Sequence, residues 1–440
     1  MCDYLDETVE LSENGEVTHE DAAAGECPEV NKDDLLKYYK DFLMNGCLPR
    51  FSEYMGVGLD GNLIGDRQLN DLPYLDYSNI DLENDDEEIN NDEEVENDEE
   101  DDNEEEIDHS RKETDDYYFC KYGIAYAFEY AMFYDIMLRI HDISQFGVCS
   151  FGSGGYIDAW SLAYARARLQ EQGIHHGLKL YYQGIDIVQW PTTVFSEAIE
   201  KMNEINRDMV REFKISVNGT ERTIPAFTFR RPQLNGIQVF NPVGGIASPN
   251  EMNYNVLMFS KLLNVVKPRA LEVFIRRLSE FDYGQLDREG RPRDYYICVS
   301  HSPTTRHLKR GVAAVQKIVQ MFRNKHFKPT GNLQDILGEE QYNNLCDTYG
   351  IEIVDVPGEL ELDDSIKKYY KINGKNMING RIWDLNPDFQ FDEPDNHGYT
   401  NDAQRFLQKL YDRSNKRYLC RQTSLANIAF QIIKLTKSEG

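Results

Sequence analysis

The sequence lacks the features that mark several classes of protein. Its eight cysteines include no C-x-x-C pair and no Cys/His cluster at metal-ligand spacing, so we expect no metal site. The first residues, MCDYLDETVELSENG, are acidic and contain no apolar core, so we expect no secretory signal peptide. Cysteines without a pairing pattern are typical of a reducing compartment, and we predict an intracellular, cytoplasmic protein.

Long uninterrupted apolar runs are also missing. The closest is residues 123–140, where Glu129, Asp135 and Arg139 interrupt the run. This pattern predicts a buried helix, and we expect no segment that spans a membrane.

Basic residues are absent from the most charged part of the chain. Residues 81–108 contain 19 acidic residues and no Lys or Arg, and they supply most of the formal net charge of -30. Such a segment cannot bury enough apolar surface to offset the entropy lost on ordering, so we predict that it is disordered. Its composition suits a solubilising linker, and it also suits the capture of a basic partner.

Composition divides the chain into four predicted parts. An N-terminal extension, residues 1–80, contains one short amphipathic helix at residues 33–44 that could dock on the main domain or on a partner. The acidic linker follows at residues 81–116. Residues 117–330 form the core, and residues 331–440 form a C-terminal part with edge strands and helices.

Strands and helices alternate in the predicted core. This order indicates βαβ units, and hence a doubly wound, mostly parallel, Rossmann-like α/β sheet with helices on both faces. The predicted strands are residues 146–151, 178–187, 254–260 and 294–300, and the predicted helices are residues 117–141, 157–172, 193–213, 268–281 and 304–324. Asn218-Gly219 predicts a tight hairpin.

The C-terminal part has a different pattern. Residues 351–356 and 369–382 predict strands that pair antiparallel at the edge of the sheet, with Asn373-Gly374 as a turn. Two helices, near residues 401–413 and 424–436, are predicted to follow.

A glycine-rich turn follows the first predicted strand of the core. The segment FGVCSFGSGGYID, residues 146–158, runs from an apolar strand through this turn into a helix. The turn consists of Gly152, Ser153, Gly154 and Gly155. Glycines let backbone N–H groups approach a ligand closely, and a helix N-terminus favours polar or anionic groups. The turn therefore predicts a site for a nucleotide-like ligand.

An acid ends the next predicted strand, in the sequence Gly184-Ile185-Asp186. The carboxyl ends of parallel strands meet at one edge of a sheet, so Asp186 is placed to accept hydrogen bonds from both hydroxyls of a ribose. A dinucleotide fingerprint would need G-x-G-x-x-G and an acid about 20 residues further on. Here residue 157 is not glycine and Asp186 lies 34 residues after Gly152, which disfavours a dinucleotide.

The glycine turn and the acid after the next strand resemble the class I S-adenosylmethionine-dependent methyltransferases. The resemblance covers residues 117–325 and implies S-adenosylmethionine (SAM) as cofactor. It also implies that Gly152 and Gly154 line the methionine part, that Asp186 holds the ribose and that Ile187 flanks the adenine. In this family a helix before the first strand helps to close the pocket, a role that falls to Tyr122 or Tyr126.

Two positions depart from the family pattern. Members usually carry an acid two residues before the first glycine, where this chain has Ser150, and a third glycine where it has Tyr156. Asp158, near the start of the helix, is a candidate to replace part of the acid's contact. Two simpler interpretations stay open: the glycines serve tight packing only, and Asp186 caps a helix.

Residues at the ends of later strands are candidates for acceptor chemistry, because methyl transfer mainly needs positioning and the handling of one proton. Lys261 and Asn264 follow the predicted strand 254–260, and His301, a base near neutral pH, follows strand 294–300. Asn241, in GIQVFNPVGG, is an alternative that resembles part of the Asn/Asp-Pro-Pro-aromatic motif of amino-methylating enzymes of nucleic acids. A surface or capping role for His301 and an ordinary turn at Asn241 stay open.

The helix at residues 304–324 is basic at both ends. Such a face suits contact with nucleic-acid phosphates, coverage by the chain's own acidic tract, or plain solvation.

The sequence as a whole predicts SAM-dependent methyl transfer to an acceptor that it does not identify: a nucleic acid, a protein or a small molecule. The alternative is a non-catalytic interaction protein on a vestigial Rossmann-like fold, whose acidic tract captures basic partners. A nicotinamide-dependent oxidoreductase is a third hypothesis.

Overall fold

The computed structural model describes the sheet, its helices and an N-terminal helical segment. The described residues are 31–60, 62–65, 112–140, 145–174, 179–186, 190, 192–194, 213–217, 220–224, 233–234, 237–240, 254–263, 266, 268–280, 283, 293–301, 305–354, 366–372, 406–407, 409–410 and 429–438. The acidic tract at residues 81–108 lies outside them, as do most of the predicted helix 193–213 and the candidate residues Ile187, Asn241 and Asn264.

The described helices and strands are numbered in chain order. The helices are α1 (Lys32–Lys40), α2 (Leu48–Met55), α3 (Lys112–Ile140), α4 (Ile157–Glu171), α5 (Pro268–Ser279), α6 (Thr305–Asn324), α7 (Leu333–Leu337) and α8 (Glu339–Tyr349). The strands are β1 (Gln145–Phe151), β2 (Lys179–Ile185), β3 (Phe213–Val217), β4 (Thr220–Ile224), β5 (Gln233–Leu234), β6 (Ile237–Phe240), β7 (Val256–Ser260), β8 (Tyr295–His301), β9 (Phe327–Thr330), β10 (Ile351–Val354), β11 (Tyr369–Ile372) and β12 (Ala429–Lys437).

Five parallel strands build the centre of the sheet, in the spatial order β6-β2-β1-β7-β8. Counted along the chain this is the order 3-2-1-4-5 of doubly wound sheets, and it reverses direction between β1 and β7. Next to β8 lies β12, which is antiparallel, and β11 and β10 follow in antiparallel pairs. The predicted fold class, a mostly parallel sheet with an antiparallel C-terminal edge, is confirmed.

Helices cover the sheet on both faces. One apolar cluster contains side chains of the helices α1, α2, α3 and α4 and strand residues such as Val148 and Met258. A second contains side chains of α5 and α6 and the strand residues Leu257 and Phe259. Neighbouring residues of β7 thus point into different clusters, which explains why VLMFS is a continuous apolar run rather than an alternating one.

The strand β12 corrects the prediction for the end of the chain. We expected a helix at residues 424–436, but Ala429–Lys437 is a strand that pairs with β8 along its length. Phe430 packs in one apolar cluster while Ile433 packs in the other. Because both faces are buried, the apolar residues follow one another without alternation, and a pattern of this kind does not separate a buried strand from a helix.

The N-terminal helix is longer than predicted. A π-helical segment, Asp41–Cys47, joins α1 directly to α2, and Gly56 ends the helix in the left-handed conformation with φ 66°. Pro49 lies within the first two positions of α2, directly after the π-helical segment, and the helix continues through it to Met55.

This N-terminal segment docks on the main sheet domain. The indole N–H of Trp160 in α4 donates to the carbonyl of Leu35 over 3.0 Å, and the rings of Tyr39 and Trp160 lie 4.4 Å apart between centroids. The hydroxyl of Tyr39 donates to the carbonyl of Gly123 in α3 over 2.7 Å. The sequence left two docking sites open for this helix, the main domain and a partner. In the structure the helix docks on the main domain.

Several smaller expectations are also settled. The hairpin at Asn218-Gly219 is confirmed, since Val217 pairs with Thr220 across the turn. The strand at 351–356 is confirmed as β10, and the strand at 369–382 is described only as far as Ile372. The strand β9 and the helices α7 and α8 were not predicted.

The helix α3 is apolar but carries buried charges. Asp135 accepts hydrogen bonds of 3.1 Å from both Arg139 and the hydroxyl of Tyr349.

In the part of the chain that the structure describes, no helix is long and apolar enough to cross a membrane. The five described cysteines are free thiols, four of them buried.

Candidate functional site

The glycine turn lies at the carboxyl end of β1, beside the point where the strand order reverses. Its backbone is pinned to the end of β2, because the N–H groups of Gly152 and Ser153 donate to the carbonyl of Ile185 over 2.8 and 3.2 Å. Gly152 and Gly154 adopt φ values of 69° and 49°. These left-handed conformations favour glycine, so the turn needs glycine at both positions.

Asp186 joins this turn from the neighbouring strand. Its Oδ2 accepts a hydrogen bond of 2.8 Å from the N–H of Gly154. The residue is half-buried, at the carboxyl end of β2. The structure therefore brings together the two elements that the sequence predicted to meet, the glycine turn and the acid.

Gly155 has a different role from the other two glycines. It is buried, and a Cβ atom at this position would lie 2.1 Å from Cζ of Phe119 in α3. Real Cβ atoms do not approach other heavy atoms this closely, so Gly155 allows α3 to pack against the turn. This placement favours the packing interpretation for Gly155 over a contact with cofactor.

Trp190 covers the turn on the side of β2, and the sequence did not single it out. A Cβ atom at Gly154 would lie 3.0 Å from Cζ2 of Trp190, so the indole lies directly against this glycine. The ring of Tyr118 meets Trp190 edge-on at a centroid distance of 5.1 Å. The sequence feature that could have indicated this contact is the position of Trp190, four residues after Asp186.

A tyrosine row on α3 runs along the same edge of the sheet. It consists of Tyr118, Tyr122, Tyr126 and Tyr130, spaced four residues apart and hence on one helix face. Tyr122 and Tyr126 stack with 5.1 Å between ring centroids and are 3% and 5% exposed. Tyr118 contacts Trp190 after β2, and Tyr126 contacts Lys261 after β7. The tyrosine row therefore crosses from the end of β2 to the end of β7.

Lys261 lies at the β7 end of the tyrosine row. Its Nζ is 3.7 Å from the ring centroid of Tyr126 and 3.6 Å from Oε2 of Glu129, whose side chain is fully buried. The backbone of Lys261 has φ 51°, and its N–H donates to the carbonyl of Ser300 over 2.9 Å. A non-glycine residue in this conformation stores about 1–3 kcal/mol of strain, and such strain clusters at active and ligand-binding sites.

Asp158 is buried below the turn, at the start of α4. The hydroxyl of Tyr182 donates to its Oδ1 over 2.7 Å. Burial raises the pKa of Asp158 to about 6, although hydrogen bonds from Ser150 and Tyr182 oppose this effect. Asp158 thus meets Ser150, which stands where the methyltransferases that this sequence resembles usually carry an acid. The residue is only 3% exposed, so it is shielded from solvent.

His301 is not on the rim of the site. It is the last residue of β8, is 0% exposed and pairs with Ala429 of β12. A Cβ atom at Gly311 of α6 would lie 2.3 Å from its Nδ1, and the ring of Tyr369 lies 5.9 Å away between centroids. This placement favours a packing role over the predicted role as a base.

The candidate residues therefore fall into three groups. Gly152, Ser153, Gly154, Asp186, Tyr122 and Lys261 lie along the carboxyl edge of β2, β1 and β7; Gly155, Asp158 and His301 are buried around it; Ile187, Asn241 and Asn264 are outside the described residues. Among the described side chains, no group of three or more His, Cys, Asp or Glu residues could hold a metal ion.

Comparison with known proteins finds similarity to solved methyltransferase structures. The plantazolicin methyltransferase BpumL, in complex with SAH, aligns over 73% of this chain and 88% of its own, with 10% identity and a TM-score of 0.26. The methyltransferase domain of bacterial-CtHen1-C aligns over 67% of this chain and 90% of its own, with 12% identity and a TM-score of 0.21. Coclaurine N-methyltransferase bound to N-methylheliamine and SAH aligns over 66% of this chain and 66% of its own, with 10% identity and a TM-score of 0.22.

No protein-family model and no curated protein matches the chain. The identities and TM-scores of the three solved structures are low. The fold of this chain is therefore defined by its own strand order.

Proposed function

We propose that this chain is a SAM-dependent methyltransferase that binds its cofactor across the carboxyl ends of β2, β1 and β7. The observation that carries the proposal is the bond between Asp186 and the turn at Gly154, beside the point where the strand order reverses between β1 and β7. Ligands of open α/β sheets bind in the crevice at that point.

The chemistry of the site residues fits each part of an adenosyl cofactor. A carboxylate at Asp186 accepts from the two ribose hydroxyls. The indole of Trp190, next to it, offers an aromatic surface to the adenine. Gly152 is exposed and its N–H is bonded to Ile185, so it is the carbonyl of Gly152 that would meet the amino-acid end of the cofactor. Tyr122 and Tyr126 close the pocket from the side of α3.

The cofactor, when bound, supplies an activated methyl group on a positively charged sulfur. Transfer to an acceptor would exchange the bond between sulfur and the methyl carbon for a bond between the acceptor atom and the methyl carbon. The acceptor atom loses one proton in the course of the transfer. The protein's task is to align the two reactants and to keep water out, which the buried tyrosine row does on one side.

Lys261 and Glu129 place a charged pair at the β7 end of the tyrosine row. Counted across the sheet, this end is two strands from Asp186, or about 10 Å at a strand spacing of about 4.8 Å. The acceptor therefore approaches at the β7 end. Its identity, whether nucleic acid, protein or small molecule, is left open by this proposal.

Ligand binding tests the proposal directly. The thermal unfolding midpoint of the full chain would be measured with SAM, with S-adenosylhomocysteine (SAH) and with NAD, since a ligand that binds only the native state raises its stability. We expect both adenosyl ligands to raise the midpoint and NAD to leave it unchanged. Lack of a shift with either adenosyl ligand would support the alternative hypothesis, an interaction protein on an empty fold.

A further inference from the structure

Two side chains from other helices hold the backbone that follows Trp190. Asp115, in the first turn of α3, accepts a hydrogen bond of 3.1 Å from the N–H of Thr192. Tyr38, in α1, donates its hydroxyl to the carbonyl of Val194. Asp115, Thr192 and Val194 are buried. A buried backbone group is costly to leave without a partner, so these two bonds fix the path of the backbone after Trp190.

The same stretch of backbone is tied to the glycine turn. The N–H of Val194 donates to the carbonyl of Gly155 over 2.9 Å. Three atoms of the Trp190 indole lie within 3.0 to 3.3 Å of the point that a Cβ atom of Gly154 would occupy. The place of the indole on the turn therefore depends on where the backbone at Thr192 and Val194 is held.

The N-terminal helical segment also packs behind Trp190. The ring of Phe42 meets that of Phe119 edge-on at 4.9 Å between centroids, and the ring of Phe119 lies 6.3 Å from that of Trp190. Arg50 in α2 forms a bidentate ion pair of 2.7 and 2.9 Å with Asp116 near the start of α3. The segment thus reaches Trp190 both through backbone bonds and through ring packing.

We infer that Tyr38 and Asp115 are positioning residues of the proposed cofactor site and that they act through Trp190. The role given to the site rests on the function proposed above, whereas the place of the indole on Gly154 does not. An aromatic surface that is already in place loses less entropy when a ligand binds to it. The N-terminal helical segment is therefore part of the construction of the site, although it contributes no strand to the main sheet.

Two neighbouring tyrosines of α1 provide a matched pair of variants. Tyr38→Phe removes the hydroxyl that donates to Val194. Tyr39→Phe removes a hydroxyl that donates over 2.7 Å to the carbonyl of Gly123, in the middle of α3. Each variant loses a bond between α1 and a backbone carbonyl. If the tyrosines only docked the helix, both variants would have the same effect on Trp190.

The emission of Trp190 in the full chain without ligand is the first measurement. Its own contribution is the difference between the spectrum of each form and the spectrum of the same form with Trp190→Phe. We expect Y38F to move this contribution to longer wavelength and to make it easier to quench with acrylamide, because the indole leaves its place on Gly154. We expect Y39F to leave it as in the original chain. Equal Trp190 spectra in Y38F and the original chain would overturn the inference.

Calorimetry with SAH is the second measurement. We expect Y38F to weaken the binding of SAH by about fivefold, the effect of one lost hydrogen bond, and Y39F to bind as the original chain does. In a W190F background Y38F should cause no further loss, because its effect passes through the indole. A fivefold loss that persists in that background would overturn the route through Trp190.

The two measurements separate the inference from the proposed function. Failure of the original chain to bind either SAM or SAH overturns the proposed function, while the spectra without ligand still decide whether Tyr38 positions Trp190.

Asp115 gives a second test that does not depend on Tyr38. Asp115→Ala removes the acceptor for the N–H of Thr192, and Asp115→Asn keeps an acceptor oxygen. We expect D115A to shift the Trp190 emission in the same direction as Y38F and D115N to stay near the original spectrum. Equal shifts in D115A and D115N would overturn the role given to Asp115.

Discussion

The carboxylate of Asp186 accepts a hydrogen bond of 2.8 Å from the backbone N–H of Gly154. This bond ties the residue after β2 to the turn after β1. The same turn is held by the carbonyl of Ile185, one residue before Asp186. The ends of two neighbouring strands are thus joined into one rigid wall of the proposed cofactor site.

Replacement of Asp186 should weaken the binding of SAM. Asp186→Ala removes the acceptor for the ribose hydroxyls, and hydrogen bonds to charged groups contribute about 1.5–3 kcal/mol. We expect the dissociation constant measured by calorimetry to rise about 10- to 100-fold. Asp186→Asn, which keeps one acceptor oxygen, should give a smaller loss.

The matched control is Asp294→Asn at the opposite edge of the sheet. Asp294 precedes β8 and forms a 2.8 Å ion pair with Lys434, with its side chain 30% exposed. This variant should bind SAM as the original chain does. Equal affinities for D186A and D294N would remove Asp186 from the site.

Trp190 should report ligand binding by fluorescence. The chain contains three tryptophans, and of the two that the structure describes, Trp190 lies against Gly154. We expect SAH to change the emission intensity of the original chain and to have little effect on Trp190→Phe. Trp160→Phe is the control, because Trp160 is fully buried against the N-terminal helix and should not sense the ligand. A signal that persists in W190F would place the ligand elsewhere.

The stability of the fold should fall as the pH rises through the range in which Asp158 ionises. Burial raises the pKa of Asp158 from 3.8 to about 6, so the folded state holds this proton more tightly than the unfolded state. Between about pH 4 and pH 6 the native state therefore loses stability relative to a variant without this group, by about 3 kcal/mol in all.

Asp158→Asn provides that variant, because the amide oxygen still accepts from Tyr182. Urea unfolding would be measured for both forms at pH 4 and at pH 7. We expect D158N to gain stability relative to the original chain on going to pH 7. A difference that stays constant with pH would show that Asp158 does not titrate as described.

Gly155→Ala should destabilise the fold through a steric clash. The new methyl group would fall 2.1 Å from the ring of Phe119, and overpacking of this kind costs about 1–3 kcal/mol or more. Gly173→Ala meets no atom within 4 Å, and its cost comes from its φ of 75° alone, about 1–2 kcal/mol.

A double-mutant cycle with Phe119→Ala isolates the clash. The free energy lost on Gly155→Ala should be smaller in the F119A background, because the clashing ring is gone. Additive effects of the two substitutions would contradict the close packing of α3 on the turn.

The sequence predicts the centre of the fold well, for physical reasons. Strands such as Val256–Ser260 are continuous apolar runs, and the helices between them carry one apolar face. Once the strands are taken as parallel, their carboxyl ends must meet at one edge. The contact between Asp186 and Gly154 follows from that rule.

Other parts of the site depend on contacts between distant segments and could not be predicted. Nothing local to Lys261 indicates that its ammonium meets Glu129 and Tyr126, which belong to a helix before the first strand. His301 was placed on the rim because it follows an apolar strand. Because the sequence predicts a helix at 424–436, it gives no sign of β12. This strand pairs with His301 and keeps it inside the sheet.

The pairing of β12 with β8 also bears on synthesis. The ribosome delivers β8 first and then α6, β9, α7, α8, β10 and β11 before β12 emerges. Until then the nascent chain carries β8 as an exposed apolar edge, open to pairing with other chains. Completion of the sheet beside β8 therefore waits for β12, and a chaperone that shields β8 during elongation would protect the growing chain.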